Sequence, residues 1–241
     1  MTVLKNKCAL ITGATGGLGK DIAKSLAHQS TNLVLLGRNL EKLKELKSQL
    51  DDLQLQVDVK CFQIDLNDRE NLISFLDSDD VSKLDIDILI NCAGIFSVEK
   101  LTHSRTENIV DMFNVNIIAP TLLCRHFIPN MSQKKWGRII NIASSSAYAA
   151  APGTSIYSST KHALLGLSRA LYKELKKDNI RVFCVSPGSI KTNMGKKVED
   201  LGQKYDTFLD PSDIAKYIVY AMSIDSELIS EEIRLNRVEV Q

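Results

Sequence analysis

The sequence predicts an α/β fold: a three-layer, doubly wound sheet of about seven parallel strands with helices on both faces. Short apolar runs with little alternation recur along the chain, which is typical of strands buried on both faces. Stretches with helical spacing separate the runs, and parallel strands need crossover connections of this kind. Because no linker, repeat or low-complexity tract interrupts this alternation, we expect residues 1–241 to form one domain.

The apolar runs are predicted strands because each is too short for a helix. In chain order they are CALIT at 8–12, LVLL at 33–36, VKCFQI at 59–64, DILIN at 87–91, RIINIA at 138–143, RVFCVS at 181–186 and EEIRL at 231–235. Helices are indicated by leucines that share one helical face, such as those at 40, 43, 46 and 50. Long helices are expected over residues 104–131 and 155–177. Residues 191–210 have weak periodicity and are predicted to form a substrate loop or lid.

Composition argues against several classes of partner. Hydrophobic residues make up 44% of the chain and charged residues 24%, with 30 basic side chains against 29 acidic ones. This balance gives no reason to expect nucleic acid or an anionic membrane as a partner. No apolar stretch approaches the roughly 20 residues that span a bilayer, and no signal peptide is recognisable, so we expect a cytoplasmic protein.

Cysteine and histidine spacings indicate no metal or disulfide framework. The five cysteines contain no CxxC pair, and the four histidines have no HxxxH or HExxH spacing. We therefore expect reduced thiols and no metal site.

A glycine-rich turn, TGATGGLG at residues 12–19, follows the first predicted strand. Glycines allow a sharp turn and let a pyrophosphate approach the N–H groups that begin the next helix, where the helix dipole favours negative charge. A tight corner without a ligand is the alternative. The position between the first strand and the first helix of a βαβ unit favours dinucleotide binding.

Gly37 and Arg38 stand at the end of the second predicted strand, where such folds select the ribose of the dinucleotide. A carboxylate there would bind a 2′-hydroxyl and repel a 2′-phosphate. Arg38 can instead pair with a phosphate, and Gly37 leaves room for it, so the sequence favours NADP(H) over NAD(H). A solvated loop residue is the alternative interpretation of Arg38.

Tyr157 and Lys161 stand four residues apart in the helix that begins SIYSSTK, so their side chains share one face. A phenol alone is a weak proton donor at neutral pH, and a neighbouring ammonium is expected to lower its pKa toward the working range. A buried tyrosine beside a snorkelling lysine is the alternative. Ser144 follows the preceding strand and could hydrogen-bond a substrate oxygen, although Ser145 and Ser146 compete for this role.

Seven segments, in order, resemble the classical short-chain dehydrogenase/reductase family, and the likeness spans almost the whole chain. They are TGATGGLG at 12–19, DL at 65–66, NCAG at 91–94, NVN ending at Asn116, NIAS ending at Ser144, YSSTK at 157–161 and PGSIKT at 187–192. The resemblance implies a Rossmann fold that binds NAD(P). It is nearest to 3-oxoacyl-[acyl-carrier-protein] reductases and carbonyl reductases.

The resemblance also implies a role for each matching residue. The implied catalytic residues are Asn116, Ser144, Tyr157 and Lys161, with Asn116 holding a water in a proton relay through Lys161. With Arg38, the implied cofactor-binding residues are Gly13, Thr15, Gly17, Leu18, Gly19, Asp65, Leu66, Asn91, Ala93, Gly94, Tyr157, Lys161, Pro187, Gly188, Ile190 and Thr192. Within that set, the residues at 65 and 66 would hold the adenine. Those at 91, 93 and 94 would flank the nicotinamide-side ribose, and those at 190 and 192 would fix the carboxamide of the nicotinamide.

These observations predict an NADPH-dependent reductase that converts a ketone or aldehyde, as in carbonyl or hydroxy-acid reductases, into an alcohol. Reduction of a 3-oxoacyl group on acyl carrier protein is the alternative. It is weakened because the sequence closes with EEIRLNRVEVQ rather than a glycine-rich segment, and because Asp178 stands near the place of an expected basic docking residue. A dinucleotide sensor without turnover is the alternative of another class, but such proteins commonly lack the phenol or the ammonium.

The predicted partners are a small carbonyl substrate, possibly an acyl thioester, and further copies of the chain in a homodimer or homotetramer. Lysines at 191, 196, 197 and 204 make the predicted lid basic. Nearby Glu199, Asp200 and Asp206 favour a solvated lid over a site for an acidic partner.

Overall fold

The strands form a parallel sheet. This computed structural model describes residues 3–198 and 202–238. Its strands are β1 Cys8–Thr12, β2 Asn32–Gly37, β3 Val59–Gln63, β4 Ile88–Asn91, β5 Gly137–Ile142, β6 Ile180–Pro187 and β7 Glu232–Leu235. They pair in the order β3-β2-β1-β4-β5-β6-β7, and every pairing is parallel. The predicted fold class is confirmed, and each strand lies close to its predicted bounds.

Helices cover both faces of this sheet. They are α1 Gly17–Ala27, α2 Leu40–Asp51, α3 Arg69–Leu76, α4 Asp79–Ser82, α5 Thr106–Phe113, α6 Ala119–Lys134, α7 Ser155–Leu175, α8 Asn193–Lys196 and α9 Pro211–Ser223. α1, α2 and α9 pack on one face, and α3, α6 and α7 pack on the other. Along β4, Ile88 and Ile90 belong to the first core and Leu89 to the second. Burial on both faces explains why the strands lack polar alternation.

The predicted helix over residues 104–131 is interrupted. A π-helical turn, Asn114–Ile118, lies between α5 and α6, and the N–H of Ala119 bonds to the carbonyl of Asn114, five residues back. Pro120 has no N–H to donate to the carbonyl of Asn116, so the α-helical pattern is broken at this point. The sequence pattern did not reveal this irregularity because the apolar spacing continues through it.

The strand order reverses between β1 and β4. Such a switch point opens a crevice at the carboxyl ends of parallel strands. The glycine-rich turn, Arg38 and four of the matching segments lie at the carboxyl ends of β1 to β6, so this edge of the sheet brings them together.

The predicted lid lies beyond β6. α8 occupies its first part and a 3-10 turn, Tyr205–Thr207, its second, while a bridge between Ile190 and Leu209 joins the two ends. Glu199 and Asp200 lie outside the described residues. Movement of this segment as a lid stays a prediction.

No helix within residues 3–198 and 202–238 is both long and apolar enough to cross a bilayer. All five cysteines are free thiols. Burial raises the pKa of the Cys124 thiol to about 12, so this thiol keeps its proton at neutral pH.

Candidate active site

A large cavity opens at the carboxyl edge of the sheet. Its volume is about 1130 Å³, enough for a dinucleotide and a small substrate together. The wall is formed by the segments that follow β1 to β6 and by the first turns of α1 and α7. The glycine-rich turn, Arg38, Tyr157 and Lys161 therefore line one continuous space.

The glycine-rich turn packs closely on two other loops. Gly13 has a φ of 64°, and a Cβ there would lie 2.8 Å from the Cα of Ala93, after β4. A Cβ on Gly17 would lie 2.6 Å from the Cγ2 of Thr192, after β6. Only glycine lets the backbone come so near while it lines the cavity at the start of α1. This cradle fits the pyrophosphate of a dinucleotide.

Cations cluster where the cavity passes β2. Arg38 lines the cavity, and its carbonyl oxygen accepts a hydrogen bond from Gln63 Nε2 at 3.1 Å. Lys42 lines it from α2, where Asn39 caps the helix by accepting from the Lys42 N–H at 2.9 Å. Lys20 on α1 adds a third positive charge. The arrangement suits a phosphate group on the adenosine ribose.

Asp65 and Leu66 form the adjoining wall after β3. Asp65 Oδ1 accepts from the N–H of Asn67 at 3.0 Å, and Asn67 Nδ2 donates to Asp111 on α5 at 2.8 Å. Asn114 in the π-turn also donates to Asn67. The predicted adenine-binding loop is therefore fixed to the helix beside it.

Tyr157 lies in the first turn of α7, and only 8% of it is exposed. Phe96 packs edge-on against its ring, with 4.7 Å between the ring centroids. The Ser144 side chain acts on the Tyr157 hydroxyl in the direction that favours the phenolate. Ser144 Oγ also accepts from the N–H of Ser146 at 3.1 Å. Ser144, rather than Ser145 or Ser146, is therefore the serine beside the phenol.

Burial shifts the pKa of Tyr157 in the direction opposite to our prediction. It raises the pKa of the phenol to about 12, and the influence of the Ser144 side chain offsets only part of this effect. Lys161 Nζ lies 5.6 Å from the ring centroid and donates to the Ile142 carbonyl oxygen at 2.8 Å. Burial lowers the pKa of Lys161 to about 8. The expected lowering of the phenol pKa is wrong for this structure, because loss of water disfavours both charged forms.

Asn116 lies in the π-turn, 1% exposed, and does not line the cavity. Its Oδ1 accepts from the N–H of Ile95 at 2.8 Å, and its Nδ2 donates to the Ile95 carbonyl oxygen at 3.0 Å and to Thr160 Oγ1 at 3.1 Å. The side-chain amide is thus used within the protein. The predicted role of Asn116 in holding a relay water stays a prediction.

Comparison with known proteins identifies the family. The family model for short chain dehydrogenase matches residues 7–201. The chain is a short-chain dehydrogenase. An uncharacterized oxidoreductase of Staphylococcus aureus (strain MW2) is 33% identical over 238 residues, which cover 99% of this short-chain dehydrogenase and 100% of that protein. The enzyme therefore belongs among oxidoreductases that act on CH–OH groups.

Solved structures share the fold of this short-chain dehydrogenase. A metagenomic short-chain oxidoreductase in complex with NADP is 25% identical, with a TM-score of 0.83 over 98% of this chain and 99% of that one. A short-chain dehydrogenase from Sphingobium yanoikuyae in complex with NADPH is 28% identical, with a TM-score of 0.81; the match covers 95% of this chain and 87% of that one. A 4-hydroxyisoleucine dehydrogenase complexed with NADH is 31% identical, with a TM-score of 0.83; the match covers 96% of this chain and 97% of that one.

The residues predicted to bind a cofactor in this short-chain dehydrogenase line the cavity, with the exception of Asn91. The Asn91 side chain is buried, and its Nδ2 donates to Asn141 Oδ1 at 2.8 Å, between β4 and β5. The predicted place of Asn91 beside the nicotinamide-side ribose stays a prediction, and the Asn91 side chain is used within the sheet. Asn91 is the last residue of β4, and its side chain turns into the sheet packing rather than toward the cavity.

Sequence reasoning missed two contributors to the site of this short-chain dehydrogenase. Thr12 Oγ1 accepts from the N–H groups of Cys92 and Ala93, both at 3.1 Å, and so shapes the loop after β4. No local pattern marks this contact because it joins segments far apart in the chain. Lys42 lies in the first turn of α2, four residues after Arg38, and its place at the start of the helix after β2 could have indicated it.

Proposed function

We propose that the protein uses NADPH to reduce a ketone or an aldehyde to an alcohol. The observation that supports this most directly is that Ser144, Tyr157 and Lys161 line the cavity that also contains the glycine cradle, with the Lys161 ammonium 5.6 Å from the centroid of the Tyr157 ring. The cations at Arg38 and Lys42 favour a 2′-phosphate. The complexes of two relatives with NADP and NADPH support the same choice.

The residues present fit both the cofactor and the reaction. Bound NADPH would supply a hydride to the carbonyl carbon of the substrate. Tyr157, which is protonated at neutral pH, donates its proton to the developing alkoxide, and Ser144 donates a hydrogen bond to the same oxygen. Lys161, cationic below about pH 8, stabilises the phenolate that proton transfer leaves behind. Phe96 keeps water from one side of the phenol.

The substrate end of the cavity favours small or medium-sized carbonyl compounds with an apolar part. Phe96, Met194 and Val198 line it, together with the alanines of residues 149–151. A 3-oxoacyl thioester is the alternative substrate. Asp178 forms a 2.6 Å ion pair with Lys135. The charge of Lys135 is therefore already paired and is not free to attract an acidic carrier protein. A non-catalytic sensor is disfavoured because Ser144, Tyr157 and Lys161, the residues needed for proton transfer, all line the cavity. The cytoplasmic location stays a prediction.

Replacing Tyr157 with phenylalanine tests the proposed function. Tyr157→Phe keeps the ring packed against Phe96 but removes the proton, so kcat/KM for NADPH-dependent reduction should fall by about 100-fold or more. NADPH oxidation would be followed over a panel of ketones, aldehydes, 2-oxo acids and a 3-oxoacyl thioester. NADPH affinity, measured by fluorescence, should change little.

Tyr172→Phe is the matched control, since Tyr172 lies on the same helix, is partly buried against the core and does not line the cavity. It should retain wild-type turnover. Near-native turnover by Tyr157→Phe would refute the assignment. NADPH binding without turnover of any compound in the panel would favour the sensor.

A further inference from the structure

Thr160 is a buried hydroxyl at the catalytic centre that the proposed chemistry does not use. It stands between Tyr157 and Lys161 on α7, has no exposed surface and does not line the cavity. Its hydroxyl donates to the Tyr157 carbonyl oxygen at 2.8 Å and accepts from Asn116 Nδ2 at 3.1 Å. A buried hydroxyl with two such partners fixes the elements on either side of it.

Asn116 extends this contact to the loop after β4. The second N–H of the Asn116 amide donates to the carbonyl oxygen of Ile95, and the amide oxygen accepts from the N–H of Ile95. Every hydrogen of the amide group therefore has a partner. Thr160, Asn116 and Ile95 form a continuous hydrogen-bonded bridge from the catalytic helix, across the π-turn, to the loop that contains Gly94.

The bridge lies where the packing leaves little free space. A Cβ on Gly94 would lie 3.4 Å from Asn116 Oδ1 and 3.7 Å from Lys161 Nζ. On the other side, the ammonium of Lys161 is held by the Ile142 carbonyl oxygen. Because Thr160 directly precedes Lys161, a movement of Thr160 away from Asn116 would shift the ammonium relative to Gly94 and Tyr157.

We propose that Thr160 is a positioning residue whose hydroxyl fixes the Tyr157–Lys161 turn of α7 against Asn116, and so keeps the ammonium where it supports proton transfer. The proposal rests on the proposed carbonyl reduction. Valine has nearly the shape of threonine but no hydroxyl, and it would leave one N–H of Asn116 buried without a partner. Serine keeps the hydroxyl.

The pH profile of the reaction reports the environment of Lys161. The titratable groups facing its ammonium are Tyr157 on α7, Cys92 after β4 and Cys184 on β6. Burial lowers the pKa of Lys161 to about 8 and raises that of Tyr157 to about 12. Reduction needs both groups protonated, so kcat/KM should fall above about pH 8. If the bridge loosens and water reaches Lys161, its pKa rises and the falling limb moves to higher pH.

The experiment compares the wild type, Thr160→Val and Thr160→Ser, using NADPH and the best substrate of the panel. Thr160→Val should lower kcat by about tenfold, leave KM for the carbonyl within about twofold and move the falling limb to higher pH. Thr160→Ser should have a kcat close to that of the wild type, and the falling limb of its pH profile should lie at the wild-type pH. Thr160→Cys, with a comparable volume and only a weak donor, replaces the valine variant if that variant does not fold, with the same expected result.

Ser168→Ala is the matched structural control. Ser168 is a buried hydroxyl on the same helix that bonds to the Leu164 carbonyl oxygen and to Asn141, away from the cavity. Its loss should lower the thermal unfolding midpoint without moving the pH profile. NADPH affinity and the unfolding midpoint would be measured for each variant alongside turnover.

The outcomes separate the two proposals. A Thr160→Val variant that loses only stability, with kcat and pH profile like those of Ser168→Ala, would show a structural role and overturn the positioning role alone. A wild-type protein that reduces no carbonyl compound would overturn the proposed function and, with it, the positioning role.

Discussion

Tyr157 and Lys161 are both almost fully buried, and burial drives each toward its neutral form. The Ser144 side chain acts on Tyr157, and Lys161 donates a hydrogen bond to the Ile142 carbonyl oxygen. At neutral pH the phenol keeps its proton, which is the state needed to donate it to an alkoxide. The opposite reaction, oxidation of an alcohol, needs the phenolate and would be favoured at higher pH.

Arg38 is expected to decide the choice between NADPH and NADH. Arg38→Asp places a carboxylate where a 2′-phosphate would lie, so kcat/KM with NADPH should fall by about tenfold or more, while kcat/KM with NADH is retained or rises. Both cofactors would be assayed with one substrate. Arg105→Asp is the control, because Arg105 is exposed, pairs with Glu107 and does not line the cavity. An unchanged NADPH-to-NADH ratio for Arg38→Asp would contradict the phosphate contact.

Among the elements, the π-turn joins two loops that border the cavity. Asn114 bonds to Asn67 in the loop after β3, and Asn116 bonds to Ile95 in the loop after β4. Pro120 prevents regular α-helical bonding at this point. The π-turn therefore holds the loop after β3, predicted to bind the adenine, and the loop after β4, predicted to flank the ribose, at fixed positions beside it.

Asn67→Ala tests the first of these contacts. The substitution removes the bonds from Asn67 to Asp111 and Asn114, which should loosen the loop bearing Asp65. We expect KM for NADPH to rise by about fivefold and kcat at saturating NADPH to stay within about twofold. Asn130→Ala is the control, since Asn130 bonds to Asp85 near the amino end of β4. A loss of kcat with unchanged KM would argue against this role.

At the scale of the whole molecule, α5 and α7 present apolar and small side chains to solvent. Val110 is 50% exposed and Phe113 37% exposed. Ala163, Gly166 and Ala170 lie exposed along α7 at helical spacing, and nothing lies within 4 Å of a Cβ built on Gly166. Small residues at this spacing let helices approach closely. We therefore expect the predicted homodimer or homotetramer to form through these helices.

Gly166→Lys is expected to reduce the assembly to a smaller species, because a long charged side chain cannot be accommodated in a close helix contact. The substitution should not disturb the fold, since lysine favours helix more than glycine does. Gly166→Ala is the control; it should keep the assembly and stabilise the helix by up to about 1 kcal/mol. Light scattering after size exclusion would measure the masses. An unchanged mass for Gly166→Lys would place the interface elsewhere.

The sequence by itself determined the layer architecture, the order of strands and helices, the glycine cradle, Arg38 and the Tyr157–Lys161 pair. These features depend on local periodicity or on residues close together in the chain. Apolar spacing indicates which face is buried, and a separation of four residues places two side chains on one side of a helix.

Only the tertiary structure decided which serine lies beside Tyr157, that Asn91 bonds to Asn141, and that Thr160 connects to Ile95 through Asn116. It also reversed the expected pKa shift of the phenol. Each of these depends on contacts between distant segments or on how far water is excluded. Neither is encoded in spacing along the chain, because a hydrogen-bond partner and a desolvation cost exist only once the elements have packed.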